Sequence, residues 1–199
     1  ANNILISLCD VPNDASQPAN IYHAEFFSTL KSVHDQLFFI SGINRVSVNS
    51  LYSPAVRFTE VVEDGFAGGP VIPADFKADK AGLEIVKQNV EKSGKVGRLV
   101  ANDYSCAMVS AQLMEFDPQT GKPLNTIAIA QQIESEVRQQ YESSTLSIHI
   151  IGFSKMVGDV AEGAKGVILF FVVAILITAV FVYFFCRSIT LTLFPILCS

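Results

Sequence analysis

The hydrophobic pattern of the chain changes from mixed to continuously apolar near its C-terminal end. Residues 167–186 contain neither a charge nor a proline, and fifteen of these twenty residues are Val, Ile, Leu or Phe. A helix that crosses a hydrocarbon core of about 30 Å needs about 20 such residues. A buried core helix is the alternative, but a core helix of this length normally keeps a polar stripe. The pattern therefore predicts a transmembrane helix over residues 167–186.

The residues before the apolar run predict a helical linker. In residues 154–166 the apolar positions keep helical phase, and the charged residues occupy the other face. Three glycines weaken this helix by up to about 1 kcal/mol each relative to alanine. If the linker and the apolar run join, they form one helix of about 33 residues and about 50 Å, which would pass domain motion into the membrane.

The residues after the apolar run predict the beginning of another span. Arg187 and Ser188 form a short polar break, and residues 189–199 are apolar again. Eleven residues are too few to cross a bilayer. We therefore expect residues 189–199 to be the truncated start of the next transmembrane helix.

Residues 1–153 show two hydrophobic periods, one of two residues and one of three to four residues. Together they are typical of a folded domain that contains both strands and helices. Alternation of apolar and polar positions, or short apolar runs, predicts four strands at residues 3–8, 45–52, 105–116 and 146–151. Apolar residues spaced by three and four predict helices at residues 21–40, 78–91 and 125–141. Gly42 is expected to end the first helix.

The order strand–helix–strand occurs twice in this domain, which is the ferredoxin-like pattern. Right-handed crossovers place both helices on one face of a four-stranded antiparallel sheet, with the first and third strands in the centre. The sequence therefore predicts an α+β fold, a ferredoxin-like βαβ-βαβ domain at residues 1–153, followed by the transmembrane α-helix. Residues 53–97 form a long insert, and we expect residues 60–76 within it to be irregular.

The charged residues are concentrated before residue 167, and their balance argues against one class of binding partner. All 19 acidic residues but only 13 of the 14 basic residues precede residue 167, a net charge of −6 for that part. This acidic balance, without a basic patch, argues against binding to nucleic acid. Arg187 favours a cytoplasmic position for the turn after the span, which places residues 1–153 outside the cytoplasm.

The sequence contains no motif that predicts an enzyme, a metal site or a cofactor site. His23, His34 and His149 lack metal-ligand spacing with one another or with a cysteine. The Gly-rich segment at residues 65–70 lacks the Walker lysine and the spacing of a dinucleotide-binding loop. No Ser, Cys or Thr lies in a recognisable nucleophile motif.

Cys9 and Cys106 are the one cysteine pair that the predicted sheet brings close. The first strand runs antiparallel to the third, so the end of one lies near the start of the other. A disulfide is one interpretation if the domain is in an oxidising compartment. Two buried free thiols are the other, because the sequence gives no geometry.

Phe58, Phe66 and Phe76 in the insert are the candidate substrate-contact residues. Exposed aromatic side chains beside glycine and proline can form an apolar opening for a hydrophobic ligand. The alternative is that these rings cap the end of the sheet or pack on a neighbouring domain.

Two segments carry a resemblance to a known family. Residues 48–73, VNSLYSPAVRFTEVVEDGFAGGPVIP, resemble the segment after the second strand of the first periplasmic domain of RND superfamily exporters, particularly the MmpL-type and related "predicted exporter" branch. Residues 81–113 resemble the helix of that domain, its Gly-Arg-Leu-Val strand and the Asn/Asp turn before its long strand. The similarity covers nearly the whole chain and consists of fold-level and loop-level signatures.

The resemblance implies a proton-driven exporter of hydrophobic or lipid-like compounds in the bacterial inner membrane. Residues 1–153 would be its first porter domain, on the periplasmic side, and residues 167–186 its second transmembrane helix. The implied partners are the lipid bilayer, the remaining transmembrane helices and second porter domain of the parent chain, and a hydrophobic small-molecule or lipid substrate. A homo-oligomer is a further implied arrangement. Residues 167–199 contain no Asp, Glu, Lys or His, so the proton-carrying acids are expected elsewhere.

Two other classes of function compete with this interpretation. A membrane-anchored extracytoplasmic sensor or binding domain would have the same hydrophobic pattern. An enzyme of acylphosphatase-like fold would need an Arg and an Asn at a phosphate cradle, and no such loop follows Leu8.

Overall fold

The computed structural model describes residues 3–186 except residues 13, 15 and 64. Arg187 and the predicted start of a further transmembrane helix at residues 189–199 lie outside the described residues. The chain divides into two compact units, Ala1–Val157 and Gly158–Ser199. In chain order the elements are β1 (Asn3–Asp10), α1 (Ala24–Phe39), β2 (Ile43–Asn49), β3 (Arg57–Val62), β4 (Gly65–Pro70), α2 (Lys80–Ser93), β5 (Cys106–Leu113), α3 (Thr126–Ile133), a π-helical turn (Glu134–Arg138), α4 (Gln139–Tyr141), β6 (Leu146–Gly152) and α5 (Phe153–Cys186).

Four of the strands form one antiparallel sheet in the order β2-β5-β1-β6. The central strand β1 pairs with β5 on one side and with β6 on the other, and Leu5 lies opposite both Ser110 and Ile151. The edge strand β2 pairs with β5 and contains an irregularity between Asn44 and Asn49. The predicted α+β class and the antiparallel sheet are confirmed.

The core lies between one face of this sheet and the helices α1 and α3. Alternate residues of β1, namely Ile4, Ile6 and Leu8, are fully buried, as the period of two predicts. The buried apolar residues of α1 recur at helical spacing and belong to the same cluster as Ile129 and Ile133 of α3; they are Phe26, Phe27, Leu30, Val33 and Leu37. Each such apolar side chain stabilises the fold by about 1.5–3 kcal/mol relative to an exposed one.

Helix α1 has a histidine N-cap, and its C-cap is Ile40 in an extended conformation, so Gly42 lies beyond the cap and does not form it. The Nδ1 atom of His23 accepts a hydrogen bond from the backbone N–H of Phe26 at 3.3 Å, so the helix begins three residues later than the apolar spacing predicts. After the helix, Gly42 has φ +91°, and a Cβ atom there would lie 2.5 Å from Cδ1 of Ile129. The left-handed backbone favours glycine at this position, and a Cβ atom would also displace the end of the Ile129 side chain.

The predicted helix at residues 125–141 is present but contains a π-helical turn. Asn125 caps α3 by accepting from the N–H of Ala128 at 3.1 Å. The turn Glu134–Arg138 then inserts one extra residue before α4. Within the turn, Glu136 accepts a 3.0 Å hydrogen bond from Nε2 of Gln36, which ties the turn to α1.

The insert contains a β-hairpin, so the expectation of irregular structure at residues 60–76 was wrong up to Pro70, while residues 71–76 contain neither helix nor strand. β3 and β4 pair in a simple antiparallel register from Arg57 opposite Pro70 to Val62 opposite Gly65. The strand signal in β4 is hidden because three of its six residues are glycine. One of them is required by packing, since a Cβ atom on Gly68 would lie 2.6 Å from the carbonyl oxygen of Phe58.

Helix α2 follows the hairpin and has conventional caps. Asp79 accepts from the N–H of Gly82 at 2.7 Å, and Gly94 ends the helix with φ +63°. Asn89, which is buried, donates from Nδ2 to the carbonyl oxygen of Val71 at 3.1 Å. This hydrogen bond attaches α2 to the segment that follows the hairpin.

Helix α5 is continuous over 34 residues, as the joined pattern of linker and apolar run predicts. At about 1.5 Å per residue it is about 51 Å long. Its segment Gly163–Val182 has a mean hydropathy of 2.7 and none of it is buried within the chain, unlike a core helix. By length and composition, α5 is able to span a bilayer.

Candidate functional site

The three candidate aromatic residues do not form one opening. Phe58 lies opposite Gly69 in the hairpin, whereas Phe66 lies opposite Val61. Because side chains alternate between the faces of a strand, Phe58 and Phe66 are on opposite faces of the hairpin. Phe76 lies beyond the hairpin and is partly buried against the core.

Phe58 and Phe76 have structural partners within the domain. The Nζ atom of Lys92 on α2 lies 5.8 Å from the centre of the Phe58 ring and also pairs with Glu60. The ring of Phe76 lies 5.6 Å, centre to centre, from that of Phe27 in α1. These contacts favour the packing alternative for both residues.

Phe66 and Val61 form an exposed apolar pair on the face of the hairpin away from α2. Phe66 is 82% exposed and Val61 is 79% exposed. A directly opposed pair on an antiparallel hairpin has its side chains in contact range. Of the three predicted substrate-contact residues, only Phe66 therefore presents its ring to solvent.

Cys9 and Cys106 are joined by a disulfide bond, with the sulfur atoms 2.15 Å apart and the Cα atoms 4.0 Å apart. The two residues are direct partners in the register of β1 and β5. They alternate with the buried residues of these strands, so the disulfide lies on the sheet face opposite α1 and α3. The bond links residues 97 positions apart.

The three histidines have separate local roles. Nε2 of His23 lies 3.0 Å from Oδ1 of Asp10, and His149 pairs with Ser147 at the surface. Since Nδ1 of His23 accepts from the N–H of Phe26, its Nε2 carries the proton that is donated to Asp10. Among residues 3–186, apart from 13, 15 and 64, no group of three His, Cys, Asp or Glu residues is placed to hold a metal ion.

His34, on the buried side of α1, belongs to a small buried polar network. Its Nδ1 atom is 2.9 Å from Oγ of Ser50, which also accepts from the N–H of Tyr52 at 3.1 Å. Burial lowers the pKa of His34, Asp35 raises it and Lys31 lowers it further. Ser50 is fully buried, so this Ser–His pair has no access to a substrate.

The lowered pKa of His34 predicts a loss of stability in acid. At pH values between the pKa of His34 in the unfolded chain, about 6.5, and its lower pKa in the folded chain, His34 binds a proton in the unfolded chain but not in the folded chain. His34 therefore makes its full contribution to the free energy of unfolding above pH 6.5. This contribution decreases as the pH falls, by at most about 1.4 kcal/mol per pH unit. Urea unfolding at pH 7.5, 6.5 and 5.5, followed by near-ultraviolet circular dichroism, measures this slope.

The matched variants for this prediction are His34→Gln and His149→Gln. We expect His34→Gln to reduce the slope between pH 6.5 and 5.5, while His149→Gln, at an exposed site, leaves it unchanged. Equal slopes for the wild type and His34→Gln would contradict the assignment of the acid sensitivity to His34.

The chain matches no family model and no curated protein in the comparisons with known proteins.

Proposed function

We propose that this chain is part of a proton-driven membrane exporter of hydrophobic or lipid-like compounds, of the RND superfamily type. In this proposal residues 1–153 are an extracytoplasmic porter domain of ferredoxin-like topology. The strand order β2-β5-β1-β6, with β1 and β5 in the centre, supports that topology. The shared core of α1, α3 and the sheet is consistent with both crossover helices lying on one face.

The observation that carries the proposal is the continuity of α5. β6 ends at Gly152 and α5 begins at Phe153, so no residue lies between the last strand and the helix. The helix then continues without interruption through the apolar segment Gly163–Val182. A continuous helix transmits movement along its axis, whereas a flexible tether of the same length would not. Such a connection suits a domain whose movement is coupled to events in the membrane.

The disulfide between Cys9 and Cys106 supports an extracytoplasmic position for the domain. Stable disulfides form in oxidising compartments such as the bacterial periplasm and are rare in the cytoplasm. This agrees with the orientation that Arg187 favours by the positive-inside rule. We propose the bacterial inner membrane as the location, with the domain on the periplasmic side.

We propose the exposed pair Val61 and Phe66 as the substrate-contact element of this domain. Burial of the Phe66 ring against a hydrophobic ligand would contribute about 1.5–3 kcal/mol. Phe58 and Phe76 pack within the domain, against Lys92 and Phe27 respectively, and are not part of this element.

A membrane-anchored sensor or binding domain is the second candidate. The observation in its favour is that a domain with an exposed apolar pair, Val61 and Phe66, is joined to a helix that is able to span a membrane. Such a protein would bind hydrophobic ligands through the same hairpin without moving them across the bilayer.

Efflux by the complete polypeptide that contains this chain tests the proposal. In cells loaded with the lipophilic dye Nile red, we expect Val61→Ser combined with Phe66→Ser to slow efflux about tenfold, because both apolar contacts are lost. Phe39→Ser is the matched control, since Phe39 is 77% exposed on α1 and outside the hairpin. Efflux that persists when a protonophore is added, or that is absent from the wild type, would contradict the exporter. Dye binding without efflux would favour the sensor.

A further inference from the structure

The outer edge of strand β4 is open. β3 and β4 form a two-stranded sheet, and α2 packs mainly against β3. Among the residues that the structure describes, no further strand or isolated bridge pairs with β4. Gly65, Phe66 and Gly68 are exposed along it. The backbone N–H and C=O groups of such an edge are a template for pairing with another strand.

β4 also lacks the features that normally protect an edge strand from pairing. Such strands usually carry a charge, a bulge or a proline within the edge. The edge strand β2 of the four-stranded sheet has an irregularity between Asn44 and Asn49 and an exposed Arg45. β4 pairs with β3 in a regular register, contains no charged residue, and has its proline, Pro70, in last position. Residues 65–69 are therefore competent to pair.

The sequence of β4 complements itself in one antiparallel register. In a two-fold symmetric pairing, if residue i opposes residue j, then j opposes i. Centred on Ala67, residues 65–69 of two copies pair throughout, and Phe66 opposes Gly68 of the second copy. Pro70, which has no N–H to donate, stays outside the pairing. A register centred on Gly68 would include Pro70, and one centred on Phe66 would pair only three residues of β4.

This register gives the exposed Phe66 ring a surface to pack on. Phe66 is 82% exposed. Gly68 of the second copy has no side chain, so the ring can lie across the backbone opposite it. An aromatic residue opposite a glycine stabilises an edge strand because it covers the bare backbone. The two-fold symmetry makes this contact twice.

The charges at the two ends of the hairpin favour the antiparallel direction. Glu63 at the turn and Arg57 at the start of β3 are both exposed, and neither forms an ion pair with another described residue. In antiparallel pairing the turn of one hairpin lies beside the base of the other. Glu63 of each copy then approaches Arg57 of the other, whereas parallel pairing would bring like charges together.

We propose that β4 pairs with β4 of a second copy of this chain, in the antiparallel register centred on Ala67, to form the four-stranded sheet β3-β4-β4-β3. Five residues from each copy form a smaller contact than the about 800 Å² per partner that is typical of a stable complex in solution. The pairing is therefore expected between copies that are anchored in one bilayer, where their effective concentration is high.

The pairing extends the substrate-contact element. Val61 and Phe66 of both copies lie on the same face of the combined sheet, because the two-fold axis is perpendicular to it. The element then comprises four apolar side chains instead of two. This extension rests on the proposed function, whereas the pairing itself does not. Cross-linked copies that show no dye efflux would contradict the proposed function and leave the pairing intact.

Cross-linking of single cysteine variants in liposomes tests the proposal. In the full chain with Cys186→Ala and Cys198→Ala, the variant Ala67→Cys places two thiols directly opposite each other, where a short bifunctional methanethiosulfonate joins them. We expect covalent dimers to form about tenfold faster than with Thr59→Cys, which is exposed on β3, one strand away from the edge. The reaction should stop at the dimer, because a two-fold pairing uses both edges.

Two lysine variants separate edge pairing from stacking of two apolar faces. Phe66→Lys removes the ring that covers Gly68 of the second copy and adds a charge near its symmetry mate, so cross-linking through Ala67→Cys should slow about tenfold. Val61→Lys, on β3 and away from the edge, should leave the rate within about twofold. Near-ultraviolet circular dichroism reports that both variants are folded.

Three results would overturn the proposal. The first is an equal rate of cross-linking for Ala67→Cys and Thr59→Cys, which indicates random collisions. The second is a ladder of products beyond the dimer, which indicates aggregation. The third is an equal loss of cross-linking in Val61→Lys and Phe66→Lys, which indicates stacking of faces and not pairing of edges.

Discussion

Replacement of Val172 and Leu176 by arginine will prevent α5 from inserting into a bilayer. Both residues are exposed and lie in the segment Gly163–Val182, Val172 near its centre. An arginine near the centre of a spanning helix costs about 2.5–3.5 kcal/mol on the insertion scale, and the lost apolar residue forfeits about 0.3–0.6 kcal/mol. The pair therefore disfavours insertion by about 6–8 kcal/mol. This cost is comparable to the total favourable free energy of insertion of an apolar run of this length.

A glycosylation-site reporter in microsomes measures the inserted fraction. The double arginine variant is expected to insert hardly at all, while the apolar control Val172→Leu with Leu176→Val inserts like the wild type. If the arginine variant inserted as efficiently as this control, the claim that α5 spans a membrane would be contradicted.

Removal of the disulfide will destabilise the unit Ala1–Val157 by about 4–5 kcal/mol. The bond closes a loop of 97 residues, and in the chain-entropy account the constraint on the unfolded chain grows with the length of the loop. The substitutions Cys9→Ala and Cys106→Ala remove this constraint together. Urea unfolding followed by near-ultraviolet circular dichroism should show a lower midpoint at an unchanged or larger slope.

The chain offers a matched control for the disulfide prediction in its other two cysteines. Cys186→Ala with Cys198→Ala leaves the Cys9–Cys106 bond in place, and its midpoint should equal that of the wild type. Treatment with dithiothreitol should lower the midpoint of the wild type and of this control to that of the Cys9→Ala, Cys106→Ala variant. A midpoint that did not respond to the reductant in the wild type would contradict the prediction.

The sheet and the long helix could be predicted from the sequence because each has a strong period. Ile4, Ile6 and Leu8 alternate with less buried residues in β1, and α5 combines helical phase with a continuous apolar run. The boundaries were less accurate. α1 begins at Ala24 because His23, an uncommon capping residue, satisfies the first turn.

The hairpin and the π-helical turn could not be predicted, for different reasons. In β4 the glycines mask the strand, and Gly68 is required only because the backbone of Phe58 approaches closely. In the turn Glu134–Arg138, the contact between Gln36 and Glu136 joins residues 100 positions apart. A local period carries no information about such a contact.

The candidate site was predicted only in part. Exposure of Phe66 follows from its place in a Gly-rich segment, but its separation from Phe58 depends on a strand register that the sequence did not reveal.

Flotation of the unmodified chain with liposomes tests the central claim most directly, namely that a folded, water-soluble domain is carried by one membrane-inserted helix. After an alkaline carbonate wash, we predict that the chain floats with the lipid through a sucrose gradient. Protease added outside the liposomes should then release a fragment that still contains the Cys9–Cys106 disulfide. A chain that stays in the dense fractions and remains monodisperse in detergent-free buffer would contradict the account.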